Sequence, residues 1–312
     1  MTDKKIPIVA IVGPTASGKT SLSVSLAKEF NGEIISGDSM QIYKKMNIGT
    51  AKPTEEEKQG IPHHLFDIFD PSESYSVAKY VSDAKEAVNG VISRNSLPII
   101  CGGTGLYIDS FISNVPFFEQ ENIHPLREAL QKEYDVDKGE SLYEELKKGD
   151  PAAAEKIHKN NAVKLIRAVE ILRSGRTLTE QVRLTEEAES PYEPLYIGLN
   201  FEDRSILYDR IEKRVDIMME EGLLKEAEML YKQNLSATAR AAIGYKELFS
   251  YFDGECTLNE AVEAIKINTR HYAKRQLTWF RRNKNTVFIE ASQPFEKILE
   301  DAKKYMVKFT NM

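Results

Sequence analysis

Cysteine is nearly missing: only Cys101 and Cys256 occur in 312 residues. Their positions match no metal-ligand spacing, so neither a disulfide framework nor a zinc site is supported. No apolar run approaches the ~20 residues needed to span a bilayer. The first residues lack the apolar centre of a signal peptide, and a cytoplasmic protein without membrane attachment is expected. An excess of positive charge is absent as well. A formal net charge of −6 excludes a protein that coats nucleic acid indiscriminately, while leaving room for a local basic surface. The chain is longer than one typical domain of ~150 residues, and 41% hydrophobic residues supply ample core for two.

What the sequence does contain is a full phosphate-cradling pattern, Gly13-Pro14-Thr15-Ala16-Ser17-Gly18-Lys19-Thr20, of the form G-x-x-x-x-G-K-[ST]. Its context gives it physical meaning. Ile6 to Val12 is a nearly continuous apolar run of the kind shown by a buried parallel strand, and Leu22, Leu26 and Phe30 follow at helical spacing. The loop is thus expected at a helix N-terminus, where backbone N–H groups and the helix dipole face an anion. Lys19 adds a mobile charge, and the Thr20 hydroxyl is the expected ligand for Mg²⁺. Polyphosphate binding follows from these eight residues; the identity of the polyphosphate does not.

A second strand, Glu33 to Ser36, ends at Gly37-Asp38-Ser39-Met40-Gln41-Ile42-Tyr43. Asp38 therefore lies near a strand's carboxyl end, where open α/β sheets bind ligands. The alternative is an Asp that only caps a turn. Residues 44 to 74 show no sustained period and read as a long surface connection. His63-His64 has no third ligand at useful spacing, so a structural or hydrogen-bonding role is expected, and no metal. Tyr75 to Arg94 is amphipathic, and Leu97 to Cys101 reads as a buried strand. Gly102-Gly103-Thr104-Gly105 then turns into the helix Leu106 to Ser113, which makes Thr104 a candidate ligand contact.

The strand-and-helix alternation stops after residue 115. Short helical segments bounded by Pro116 and by Pro191 and Pro194 predict a helical insertion, 116–194, within an α/β core made of 1–115 and 195–312. In the insertion, Asn161 to Leu172 places Lys164 and Arg167 away from its apolar face. The core resumes with the strand Leu195 to Leu199, and Asp203 is the expected N-cap of a helix through Glu221. On that helix Arg210 and Arg214 are one turn apart, suited either to grip a phosphate or to pair with neighbouring acids. The long helix Asn259 to Arg282 gathers Lys266, Arg270, Lys274 and Arg281 with Tyr272, Trp279 and Phe280. Such a helix suits RNA through phosphate contacts and stacking, and equally suits a solvated basic face over an aromatic core. Val287 to Glu290 and Phe295 to Met312 read as a closing strand and helix.

Together these motifs resemble a known family. GPTASGKT, ISGDSMQIYKKMNIGTAKP, PHHLFD, GGTGLY, DRSILYDRIEKRVDIMMEEGLL, AAIGYKE and TRHYAKRQLTWFRR are similar to the tRNA dimethylallyltransferases of the bacterial type, in order and over nearly the whole chain. The resemblance implies a P-loop NTPase-like parallel sheet recruited for prenyl transfer. A dimethylallyl group would move from dimethylallyl diphosphate to the exocyclic amine of the adenosine 3′ of the anticodon in tRNA. It implies Asp38 as general base, Thr104 as a holder of the target adenine, and diphosphate in the phosphate loop. It implies contacts to the tRNA anticodon stem-loop from Asp38, Ser39, Met40, Gln41 and Thr104, from Arg127, Val163, Lys164 and Arg167 in the insertion, and from Lys274 and Arg281. A monomer without an obligate protein partner is expected. Set apart from that resemblance, the phosphate loop alone fits a small-molecule or nucleoside kinase, and the loop with the basic helix fits a nucleotide-dependent RNA-binding module.

Overall fold

A computed structural model describes residues 5–117 and 123–311. Its core is a six-stranded, all-parallel sheet in the order β3-β2-β4-β1-β5-β6. In chain order the first part reads β1 (Ile6–Val12), α1 (Lys19–Glu29), β2 (Gly32–Ser36), α2 (Glu55–Lys58), β3 (His63–His64), α3 (Val77–Ser93), β4 (Leu97–Gly102) and α4 (Gly105–Ile112). Ile8 to Val12 are completely buried, as a strand flanked on both sides and covered on both faces requires. Val12 lies opposite Gly102 of β4 on one side, and opposite Gly198 of the next core strand on the other. The order of strands reverses at β1 and β4, which opens a crevice at their carboxyl ends.

The chain divides into two compact units, one formed by the chain up to Ile112 and from Pro191, the other by Ser113–Ser190. The second unit contains only helices among its described residues: α5 (Ile123–Asp137), α6 (Glu140–Gly149), α7 (Pro151–Lys156), α8 (Ala162–Arg173) and α9 (Leu178–Glu187). Leu130, Leu142, Leu146, Leu165 and Val169 form its own core. Asn161 caps α8 by accepting from the Lys164 N–H.

The first unit resumes with β5 (Tyr192–Asn200), α10 (Arg204–Glu220), α11 (Leu223–Tyr231), α12 (Ala237–Arg240), α13 (Lys246–Phe252), α14 (Leu258–Phe280), β6 (Thr286–Glu290) and α15 (Phe295–Thr310). Asp203 caps α10 as expected. β5 begins three residues before the predicted Leu195 and runs through Pro194. Proline is tolerated there because β6 pairs with β5 only from Tyr196 onward, so that no neighbour on that side needs the missing N–H.

The stretch 44–74 is more than a surface connection. It contains α2 and the edge strand β3, and Met46 and Leu65 are buried. β3 pairs through Ile34 with His63 and Ile35 with His64. Both histidines have the hydrogen-bonding roles expected of them: His64 Nε2 lies 2.7 Å from Glu33 Oε2, and His63 Nδ1 lies 2.8 Å from the Ile61 carbonyl. Arg94 grips the same Glu33 carboxylate at 2.7 and 2.9 Å, and chiefly through these bonds the Glu33 pKa is held down at about 2.

The ends of β2 and β4 meet backbone to backbone. A Cβ added to Gly102 would stand 2.2 Å from the Gly37 carbonyl carbon and oxygen, neither of which can swing aside. Gly102→Ala is therefore expected to cost about 1–3 kcal/mol or more through overpacking. Gly90→Ala, whose added methyl would meet only the Arg94 guanidinium at 3.5 Å in the interior of α3, is expected to gain about 0.5–1 kcal/mol. Thermal denaturation of the two variants checks the pair; a Gly102→Ala midpoint at or above the wild-type value contradicts it.

Candidate active site

The phosphate loop leaves β1 at Gly13 and enters α1 at Lys19, with Gly18 as N-cap at a φ of 90° that favours glycine. No side chain caps this helix, so its first amides and its positive dipole end are left for an external anion. The Ser17 hydroxyl is buried without a hydrogen-bond partner, a group awaiting an outside acceptor or donor. Lys19 Nζ donates to the Pro14 carbonyl at 2.6 Å, lying back across the loop.

Asp38 follows β2 and faces the same crevice electrostatically: its charge is felt by Lys19, Cys101 and Arg214. Its Oδ1 accepts from Met40 N–H at 2.8 Å and from Gln41 N–H at 3.4 Å. The turn is thus self-capped, as the capping alternative anticipated, but no hydrogen bond among the described residues uses Oδ2. Thr104 closes the turn from β4. Its Oγ1 accepts from Ser39 N–H at 3.0 Å and donates to Ser39 Oγ at 3.3 Å, while Thr104 N–H donates to the Gly37 carbonyl at 3.0 Å. The Gln41 amide donates to the Thr50 and Ala51 carbonyls at 3.2 Å.

Burial moves the two charged groups in opposite senses. It raises the Asp38 carboxyl above its ordinary value, against the Met40 N–H and the Lys19 charge, which oppose the shift. It lowers Lys19 to about 8, with Arg214 lowering it further and Cys101 and Asp38 opposing. The carboxylate is thereby made a better proton acceptor, while Lys19, at about 8, keeps most of its charge near neutral pH and loses it just above.

The two arginines of α10 part company. Arg214 is half-buried and feels Glu57, Asp38 and Glu221, with burial lowering its pKa. Arg210 instead lays its guanidinium 5.2 Å from the centre of the Phe201 ring. A metal fits the loop in one way only. No group of three or more His, Cys, Asp or Glu side chains among the described residues is placed to hold an ion. Thr20 offers one hydroxyl, so a hard cation there would take most of its ligands from phosphate oxygens and water, as Mg²⁺ does.

Several residues that shape the crevice carry no local sequence signal. Gln276 of α14 accepts from Thr15 N–H at 2.8 Å and donates to the Gly103 carbonyl at 3.0 Å. Tyr272, one turn earlier, lies on the same side of α14, and burial raises its phenol above the ordinary value. Trp279 Nε1 donates to Asp109 at 2.6 Å, and its ring leaves no room for a side chain on Gly105. The buried Glu226 of α11 accepts from the N–H groups of Asn47, Ile48 and Gly49 at 2.9–3.1 Å and from the Tyr245 hydroxyl at 2.7 Å. It holds the 44–52 loop whose carbonyls receive Gln41. No motif spacing or periodicity in the sequence reads across this contact.

Of the basic residues, Lys266 pairs with Asp216 at 2.7 Å and Arg270 pairs with Glu212, so the early turns of α14 are neutralised within the chain. Lys274 and Arg281 are exposed, and with Arg204, Tyr208 and Thr278 they line a small surface crease. Arg281 also donates to Asn200 Oδ1 at 2.8 Å. In the helical unit, Val163 and Lys164 are exposed, whereas Arg127 and Arg167 both grip the buried Glu170 at 2.8 and 2.6 Å.

Comparison with known proteins agrees with this geometry. The family model described as IPP transferase matches residues 41–283. A protein of Bacillus subtilis named tRNA dimethylallyltransferase is 48% identical over 302 residues, 96% of either chain. One of Halalkalibacterium halodurans with the same name is 50% identical over 92% of this chain and 91% of its own. Among solved structures, the full-length tRNA isopentenylpyrophosphate transferase from Bacillus halodurans superposes with a TM-score of 0.74 at 43% identity, over 98% of this chain and 97% of that one. A eukaryotic dimethylallyltransferase acting on tRNA gives 0.77 at 28% identity, over 92% and 74%. The parallel sheet with its phosphate loop, the motifs around Asp38 and Thr104, and near-half identity over almost the whole length lead to one conclusion: the chain belongs to the tRNA dimethylallyltransferase, or IPP transferase, family.

Proposed function

We propose that this protein transfers a dimethylallyl group from dimethylallyl diphosphate to the exocyclic N6 amine of the adenosine 3′ of the anticodon in tRNA, releasing diphosphate. The observation that carries the reading is the convergence of three strand ends on one crevice: the phosphate loop after β1, Asp38 after β2 and the Thr104 turn after β4. The first holds an anionic leaving group, the second accepts a proton, and the third presents a hydroxyl beside them.

An adenine amine is a weak nucleophile, so the bond from carbon to diphosphate oxygen must be made easy to break. The loop amides, Lys19 and Arg214 stabilise the charge that develops on the departing oxygen. Mg²⁺ held by Thr20 would add charge neutralisation on the diphosphate. As the new C–N bond forms, the N6 proton passes to Asp38 Oδ2, the oxygen not occupied by the Met40 and Gln41 amides. The adenine leaves its stack to reach the crevice, where Thr104, Ser39, Met40 and Gln41 hold it. Arg210 steadies Phe201 in this reading and leaves the diphosphate to Arg214.

RNA phosphates are met by the exposed Lys274 and Arg281 rather than by Lys266 and Arg270, whose charges are already paired. The helical unit contributes Val163 and Lys164 from the exposed start of α8, with Arg127 and Arg167 anchored on Glu170. The protein acts as a cytoplasmic monomer in this reading; among the described residues no helix is long and apolar enough to cross a membrane.

Three outcomes test these roles. Asp38→Asn is expected to lower single-turnover transfer by about 10²–10⁴-fold while leaving tRNA affinity nearly unchanged; near-normal turnover removes Asp38 from the role of base. Lys19 is uncharged in the free protein above a pH of about 8 and must be charged to hold diphosphate, so pyrophosphate binding there takes up a proton. Calorimetry in buffers of different ionisation enthalpy should show that uptake in the wild type and not in Lys19→Met, and equal uptake in both contradicts the assignment. Reversing the charge at Lys274 and Arg281 should weaken all tRNA substrates about equally and flatten the salt dependence by about one to two phosphate contacts. A loss confined to some tRNA sequences would show that these side chains read bases instead.

A further inference from the structure

Gln276 sits in the middle of α14 and is only 4% exposed. A buried amide persists when its groups find partners, and Gln276 takes them from both sides of the crevice. Its Oε1 accepts from Thr15 N–H at 2.8 Å, and its Nε2 donates to the Gly103 carbonyl at 3.0 Å. The fit is tight: a Cβ on Gly103 would stand 1.9 Å from that Nε2.

The place of Thr15 decides what this does. The phosphate loop has a helix end, Gly18 to Thr20, whose amides and dipole hold one phosphoryl group. It also has a strand end, Gly13 to Thr15, along which a longer polyphosphate must extend to find further donors. At that strand end Pro14 has no N–H, its carbonyl is taken by Lys19 Nζ at 2.6 Å, and the Thr15 N–H is taken by Gln276.

We propose that Gln276 is a specificity-determining residue that closes the strand end of the phosphate loop to a third phosphoryl group, so that the loop takes a diphosphate in preference to a triphosphate. This rests on the reading of the loop as the leaving-group site. To admit a triphosphate, Gln276 must withdraw from Thr15 and leave the Gly103 carbonyl without its donor, a cost that a diphosphate does not incur.

Titration calorimetry of the full chain with pyrophosphate and with tripolyphosphate, in Mg²⁺, tests it. The wild type is expected to bind pyrophosphate at least about tenfold more tightly. Gln276→Ala is expected to reduce that ratio by about tenfold or more through tighter tripolyphosphate binding, with pyrophosphate affinity within about threefold. Gln276→Glu keeps the size and the acceptor for Thr15 but adds negative charge. It should weaken both anions and leave the ratio at or above the wild-type value, which provides a readout even where the smaller side chain impairs folding. Pyrophosphate binding with an unchanged ratio in Gln276→Ala, or a lowered ratio in Gln276→Glu, overturns this inference alone. Failure of the wild type to bind pyrophosphate overturns the leaving-group reading and this inference with it.

Discussion

Everything in the crevice depends on how closely the strand ends approach. Gly102 and Gly37 meet at 2.2 Å from where a side chain would begin, and two backbone hydrogen bonds, Gly37 N–H to Cys101 and Thr104 N–H to Gly37, lock the contact. Because neither residue carries a side chain, the Asp38 turn and the Thr104 turn share one wall. The phosphate loop forms the opposite wall, and Gln276 ties it across to Gly103. A single parallel sheet thus brings together groups that are 65 to 261 residues apart in the chain, without any of them needing a flexible reach.

Electrostatics follows from that closeness. Asp38 and Lys19 are shifted mainly by burial, and each shift is partly reversed by the other's charge. Such a pair is adjustable: under the proposed function, an arriving diphosphate would raise Lys19, and its departure would return the amine toward neutrality. Under the proposed function, the same fold that elsewhere cleaves a phosphoanhydride would release a diphosphate from carbon, since both reactions need the same thing from the loop, namely stabilisation of charge on a leaving oxygen.

The phosphate loop, its flanking strand and helix, Asp38 and the Gly102 to Gly105 turn were legible because their signals are local: an apolar run, a helical period, or glycines at a strand end. The cap at Asp203 was legible for the same reason. Gln276 and Glu226 were not, since their backbone partners lie 173 to 261 and 177 to 179 residues away, and a lone Gln or Glu in a helix reads as a surface residue. The spacing of Arg210 and Arg214 correctly placed them one turn apart, yet Phe201 draws one guanidinium to its ring while the other stays near Asp38. The positive charge of α14 was visible, but its pairing with Asp216 and Glu212 was set by packing against α10. Pro194 marked a boundary in the sequence and lies instead in a strand, because one side of that strand has no partner at that point.

The central claim is that the phosphate loop serves a leaving group and not a triphosphate energy source. The most direct measurement incubates the protein with unmodified tRNA and either labelled dimethylallyl diphosphate or labelled ATP. It follows label in the tRNA and diphosphate in solution. The account predicts that label enters tRNA only from the prenyl donor, with one diphosphate released per group transferred and no requirement for ATP. Transfer that proceeds only with ATP hydrolysis, or label entering tRNA from ATP, contradicts it.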